Sequence, residues 1–178
     1  MKKTLLFALA LVAICILPSC KKDPAQTKIV FGNTNGMSVT SYEGILYPVQ
    51  YGHYSWGNTL DLDGDGENEV QFHSTSEIMG EGILTELYCL NNTVALLGDI
   101  TNQQFYLWAN NANESFGNDN YFMSTDVKLR EGDIYYFSIN EAKYIGFKIT
   151  EKDKSRLGWI KVIHHPDYVE ILEIAIQK

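Results

Sequence analysis

The chain has 178 residues, 22 acidic side chains against 14 basic ones, and a formal net charge of −8. Binding to nucleic acid is driven by Lys and Arg neutralising phosphates, so an acidic chain without a basic cluster is not built for it. From Lys28 onward there are about 150 residues, enough for one domain that buries around 70% of its unfolded surface.

The first element is a leader. Met1-Lys2-Lys3 is basic, Leu5 to Ile16 is an unbroken apolar or small run, and Leu17-Pro18-Ser19-Cys20 closes it with a small residue before a cysteine. That order is the layout of a secretory signal. The run of twelve residues is short of the ~20 that span a bilayer, so a retained transmembrane helix is not expected. The stretch ending at Cys20 resembles the bacterial lipobox. The resemblance implies that residues 1–19 are cut away, that Cys20 is diacylated, and that the new amino terminus is acylated. A plain cleaved signal and an uncleaved anchor are the alternatives. Two or more acyl chains make membrane anchoring stable.

Residues 20–27 then form a lipidated polar tether. From Lys21 to Thr27 it reaches about 25 Å when extended. The outer membrane of a double-membraned bacterium is the expected location. Lys21-Lys22-Asp23 is similar to the Lys/Asp-rich tags that send some lipoproteins to the cell surface, and both the periplasmic and the surface face stay open. Losing residues 1–19 removes Lys2 and Lys3 but no acid, which leaves 12 basic and 22 acidic residues and a net charge of −10. It also removes Cys15. With Cys20 acylated, only Cys89 remains, so no internal disulfide forms although export would permit one. Cys89 sits in the apolar run Leu87-Tyr88-Cys89-Leu90 and reads as a buried small hydrophobe, not a catalytic thiol.

Across residues 28–178, short apolar or aromatic runs recur between turn signals, the pattern of an all-β domain. Predicted strands are Lys28–Phe31, Met37–Thr40, Ile45–Val49, Asn58–Leu62, Glu69–His73 and Ile83–Leu90. Further on come Thr93–Leu97, Phe105–Trp108, Ile134–Ile139, Tyr144–Thr150, Gly158–Ile163 and Val169–Ile176. Asn33-Thr34-Asn35-Gly36, Asn91-Asn92 and Glu131-Gly132-Asp133 supply turns. A helix over Ser76–Leu87 is opposed by Gly80 and Gly82. The polar, Asn-rich stretch from Asn110 to Asn120 reads as a long surface loop. At the end Val169, Ile171, Ile174 and Ile176 mix with Glu170 and Glu173. This many short strands predict a single antiparallel β-sandwich of two sheets.

Asp61-Leu62-Asp63-Gly64-Asp65-Gly66-Glu67-Asn68-Glu69 is the segment with chemistry in it. Acids at positions 1, 3 and 5 with Gly at 6 wrap a tight loop whose oxygens converge. Ca²⁺ takes six to eight such oxygens at 2.3–2.6 Å. Asp61, Asp63 and Asp65 are candidate ligands, with the carbonyl of Glu67 and the side chain of Glu69 completing the set. A full EF-hand fails, because its twelfth position falls on Phe72 where a bidentate Glu is needed, and a strand pattern follows in place of a helix. The loop resembles the calcium loops of FG-GAP and related β repeats, which run Asp-x-Asp-x-Asp-Gly-x-x-acid into a strand; that likeness implies a structural calcium ion. The alternative is an ordinary acidic hairpin turn.

Just ahead of that loop, Tyr47, Tyr51, Tyr54 and Trp56 crowd together with His53. Tyr51, Tyr54 and Trp56 are candidate glycan-stacking residues, although Tyr is also a normal strand residue whose hydroxyl needs a partner. Towards the C-terminus, Tyr144-Ile145-Gly146-Phe147-Lys148 and Leu157-Gly158-Trp159-Ile160-Lys161-Val162 precede a last strand. This order resembles a β module of secreted bacterial proteins of unassigned activity. The resemblance implies a fold and an exported context, with Gly146 permitting close backbone approach and Trp159 filling the space between sheets. His53, His73, His164 and His165 lack metal-binding spacing, and no G-x-S-x-G, P-loop or G-x-G-x-x-G occurs. The expected function is therefore a binding or assembly module of the envelope for a protein partner or a second copy of itself. A glycan-binding lipoprotein is the alternative, and a carbohydrate-active enzyme a more distant one.

Overall fold

The computed structural model describes residues 28–48, 58–76, 83–101, 104–131, 134–135, 137–152, 154–166 and 168–178. The expected leader and tether (residues 1–27, with Cys20), and Tyr51, Tyr54 and Trp56, lie outside the described residues. Fourteen β-strands and no helix occur among those described. In chain order they are β1 Lys28–Val30, β2 Met37–Pro48, β3 Asn58–Leu60, β4 Val70–Ser76 and β5 Ile83–Cys89. Next come β6 Val94–Thr101, β7 Gln104–Leu107, β8 Ser115–Gly117, β9 Phe122–Met123 and β10 Val127–Glu131. The last are β11 Ile134–Tyr135, β12 Ala142–Glu151, β13 Lys154–His164 and β14 Tyr168–Gln177.

The expected antiparallel sandwich is present. A five-stranded sheet runs β11-β10-β5-β4-β3, and a seven-stranded sheet runs β2-β14-β13-β12-β6-β7 with β9 also paired to β6. Val70, Phe72, Leu87 and Leu129 of the first sheet meet Leu96, Phe147, Ile160 and Ile171 of the second in one core. Alternation along each strand aims these side chains inward. On β14, however, Ile171 and Ile174 are three residues apart, which strict alternation cannot place on one face. The pairing with β13 slips there, leaving Leu172 as an extra residue. A bulge of this kind resets the phase, so both isoleucines reach the core. Where a helix competed over Ser76–Leu87, residues 83–89 form β5 and pair with β4.

Two expectations are corrected. The Asn-rich stretch from Asn110 to Asn120 is not loop throughout, because it contains β8, which pairs with β1 as a two-stranded ribbon. The ribbon lies on the outer face of the seven-stranded sheet, where Ile29, Phe31 and Phe116 pack with Leu97, Tyr144, Leu157 and Trp159. Trp159 accordingly fills the space beneath the ribbon and not the space between the two main sheets. The reason is register: Ile145 pairs with Ile160 and Gly146 with Trp159, so Trp159 and Ile160 point to opposite faces. Gly146 is required here. A Cβ on it would stand 2.8 Å from a methyl of Leu97 and 3.2 Å from the Phe116 ring. With cover on both faces, Tyr144 to Phe147 and Leu157 to Ile160 are continuously buried.

Candidate metal centre

β3 and β4 form a hairpin closed by the Leu60–Val70 pair, and residues 61–69 are its loop. The acids shape the loop by taking backbone N–H groups. Asp61 Oδ1 accepts from Asp63 N (3.2 Å) and Gly64 N (2.6 Å), while its Oδ2 accepts from Gly66 N (2.8 Å). Asp63 Oδ1 accepts from Asp65 N at 3.2 Å, and Asp65 Oδ1 from Glu67 N at 2.8 Å. Gly64 and Gly66 have φ of +81° and +95°, a region that a residue with Cβ rarely enters. The alternating Asp and Gly pattern is thus what the backbone path demands.

The result is convergence. One carboxylate oxygen from each of Asp61, Asp63 and Asp65 lies within 4.8 Å of the other two. Oxygens that share one cation at 2.3–2.6 Å stand no more than about 5 Å apart, so this triad can hold a metal ion. Hard carboxylate donors suit Mg²⁺ or Ca²⁺ better than a soft metal. The two further candidates are placed differently. Glu67 is exposed and engaged through its N–H. Glu69 is buried at 3% exposure, and its Oε2 accepts the N–H of Leu62 at 2.7 Å. Burial pushes the Glu69 carboxyl up to about 7; the charges of Asp63, Asp61 and Asp65 add to the rise, and the Leu62 N–H opposes it. Leu62 is itself buried in the inter-sheet core, so the loop is pinned at its base by an apolar side chain.

The second sheet reaches into this loop. Arg156 on β13 pairs with the Asp63 carboxylate and, at 2.8 Å, with Glu151 of β12. The Asp63 side chain is only 3% exposed, so the guanidinium neutralises a carboxylate that would otherwise be desolvated alone. Tyr42 of β2 stands near as well, its hydroxyl pKa raised by burial and then by the charge of Asp61. Neither residue is foreseeable from the loop motif, because Arg156 lies 93 positions along the chain and only the docking of the two sheets joins them.

The other singled-out residues do not form a centre. Cys89 is half-buried against the core, and its Sγ donates to the Thr125 carbonyl at 3.4 Å. Burial raises its thiol pKa, the opposite of an activated nucleophile. His165 contacts Asn140 at 2.8 Å and Glu170 at 3.1 Å, while His164 is buried at the end of β13. Among the described residues, the aspartates are the group of His, Cys, Asp or Glu side chains close enough to share an ion.

Fold and site together define an antiparallel β-sandwich with an acidic hairpin loop able to hold a metal ion. No family model, curated protein or solved structure matches the chain.

Proposed function

We propose that this chain is a lipid-anchored envelope protein of a double-membraned bacterium, whose calcium-clipped β-sandwich is a binding or assembly module for a protein partner or a second copy of itself. The observation that carries the reading is the junction at Asp63. There three carboxylate oxygens converge within 4.8 Å in a loop that Arg156 ties to the other sheet, and the converging oxygens suit a cation. Calcium fits the three convergent carboxylates, and its role is structural: extracellular modules bind it with Kd of ~10⁻⁴–10⁻³ M. The leader and Cys20 supply the anchor, and the short tether keeps the domain near the bilayer. A glycan ligand is the second reading, favoured by exposed aromatic side chains on the sandwich.

The anchor is tested by intact mass and membrane fractionation. The wild-type mature protein should begin at an acylated Cys20 and sediment with membranes, and Cys20→Ala should release it. An unmodified, soluble wild type defeats the proposal. Crosslinking in the native envelope then reads the partner, with recovery of a defined protein or of the chain itself expected.

A further inference from the structure

Away from the acidic loop, the sandwich has a cleft at its open edge, where β7 of one sheet approaches β10 of the other. It measures about 350 Å³ and is lined by residues 104–107 and 125–128, within the 300–1,000 Å³ typical of small-ligand sites. Its lining is mixed. Phe105, Leu107 and Val127 offer apolar surface, while Gln104, Thr125, Asp126 and Lys128 bring an amide, a hydroxyl, a carboxylate and an ammonium group.

The rim carries the aromatic rings that sugar stacking needs. Tyr106 lines the cleft, and Trp108, one residue beyond the end of β7, still bonds through its N–H to the Leu97 carbonyl of β6 at 3.2 Å. The alternating exposure of residues 104–108 continues through it, which puts the two rings on one side at a separation of roughly 7 Å. They are 37% and 38% exposed, and Tyr121 nearby is 44% exposed. The platform is held in place. Tyr106 donates its hydroxyl to Gln104 Oε1 at 2.9 Å, and the Phe105 ring packs 6.1 Å from that of Tyr121. Gly98, on the neighbouring β6, leaves room for the strand: a Cβ there would stand 2.2 Å from the Tyr106 carbonyl and 2.4 Å from the Phe105 ring.

From this arrangement we infer that the β7–β10 cleft is a saccharide-binding site for an uncharged pyranose chain. Tyr106 and Trp108 stack on the apolar C–H faces of the sugar rings, and the Asp126 carboxylate and Gln104 amide bond their hydroxyls. Charge selects the class of glycan. Asp99 lies opposite Tyr106 on β6, Asp126 and Lys128 of the lining offset each other, and the chain as a whole is acidic, so the balance of charge disfavours sulfated or uronic polymers. The inference depends on neither the lipid anchor nor the metal ion, because no cleft residue belongs to the acidic loop.

The test is calorimetry and tryptophan fluorescence on the full mature protein in detergent. The probes are cellohexaose, laminarihexaose and N-acetylchitohexaose, with heparin as the anionic arm. One or more neutral hexasaccharides should bind and perturb tryptophan emission, and heparin should not bind. Trp108→Ala should weaken binding at least about tenfold, as loss of a central aromatic anchor does, and Asp126→Asn by a smaller factor. Trp108 is exposed, so Trp108→Ala should melt like wild type; Asp126 also accepts the Cys89 N–H, which the amide oxygen of Asp126→Asn can still do, so that variant should remain folded. Silence towards all three neutral probes at millimolar concentration overturns the proposal. So does binding that survives the Tyr106→Ala/Trp108→Ala pair, or a preference for heparin.

Discussion

The seven-stranded sheet is joined to the rest of the molecule in two unlike ways. On its outer face the β1–β8 ribbon is held by Ile29, Phe31 and Phe116 against Leu97, Tyr144 and Trp159, with Phe31 and Phe116 stacked at 4.7 Å. Near the β12–β13 turn, the joint to the five-stranded sheet includes Asp63, Arg156 and Glu151, with Asp61 and Asp65 gathered within 4.8 Å of Asp63. The first joint is dry and insensitive to charge. The second concentrates like charges, so its strength depends on how many of its carboxyls hold protons. One molecule thus has a constitutive seam and a conditional one, and each can be perturbed separately.

The largest effect is expected at the apolar seam. Phe116→Ala should cost about 3–5 kcal/mol, the range for truncating a buried Phe, read from urea denaturation. The loss should be the same in calcium and in chelator. A loss below about 1 kcal/mol would mean that the ribbon is a loosely held strap and not a layer of the fold.

At the conditional seam, Glu69 sets a pH dependence. Its carboxyl is raised from 4.5 to about 7 in the folded protein, so the native state holds more protons than the unfolded chain between these values. The resulting stabilisation is complete below about 4.5 and is lost as pH rises through 7. In chelator, the stability of wild type relative to Glu69→Gln should fall between pH 5 and pH 8, by on the order of 2–3 kcal/mol. A flat difference would show that Glu69 is not forced towards its neutral form.

Calcium should act in the opposite sense, since its ligands must be ionised. At ten times Kd it adds about 1.4 kcal/mol, or roughly 3–6 °C of Tm for a domain of this size. Asp63→Ala with Asp65→Ala should abolish that increment and leave a folded protein. Identical melting of wild type in calcium and in chelator would reduce the loop to an acidic turn.

The smallest effect is expected at Arg156. In chelator, Arg156→Gln should lose about 1 kcal/mol, because the amide still offers the buried Asp63 carboxylate a hydrogen-bond donor and only the charge is lost. Calcium should narrow the gap to wild type, since both cations neutralise Asp63. A gap that calcium leaves unchanged would separate Arg156 from the metal site.

Local sequence determined much of this protein. The β pattern, the hairpin loop at residues 61–69 and the need for glycine at 64 and 66 follow from alternation, turn chemistry and backbone sterics, which act over a few residues. Other features needed the tertiary structure. Phe116 lies in a polar run where no periodicity marks β8, and only pairing with Lys28–Val30 gives it a face to bury. Trp159 was readable as buried, but which face it fills depends on its register with Gly146. Arg156 meets Asp63, and β7 meets β10 to form the cleft, because two sheets pack together. Contacts across that distance along the chain leave no pattern in either segment alone; they are fixed when burial of the shared core sets how the layers dock.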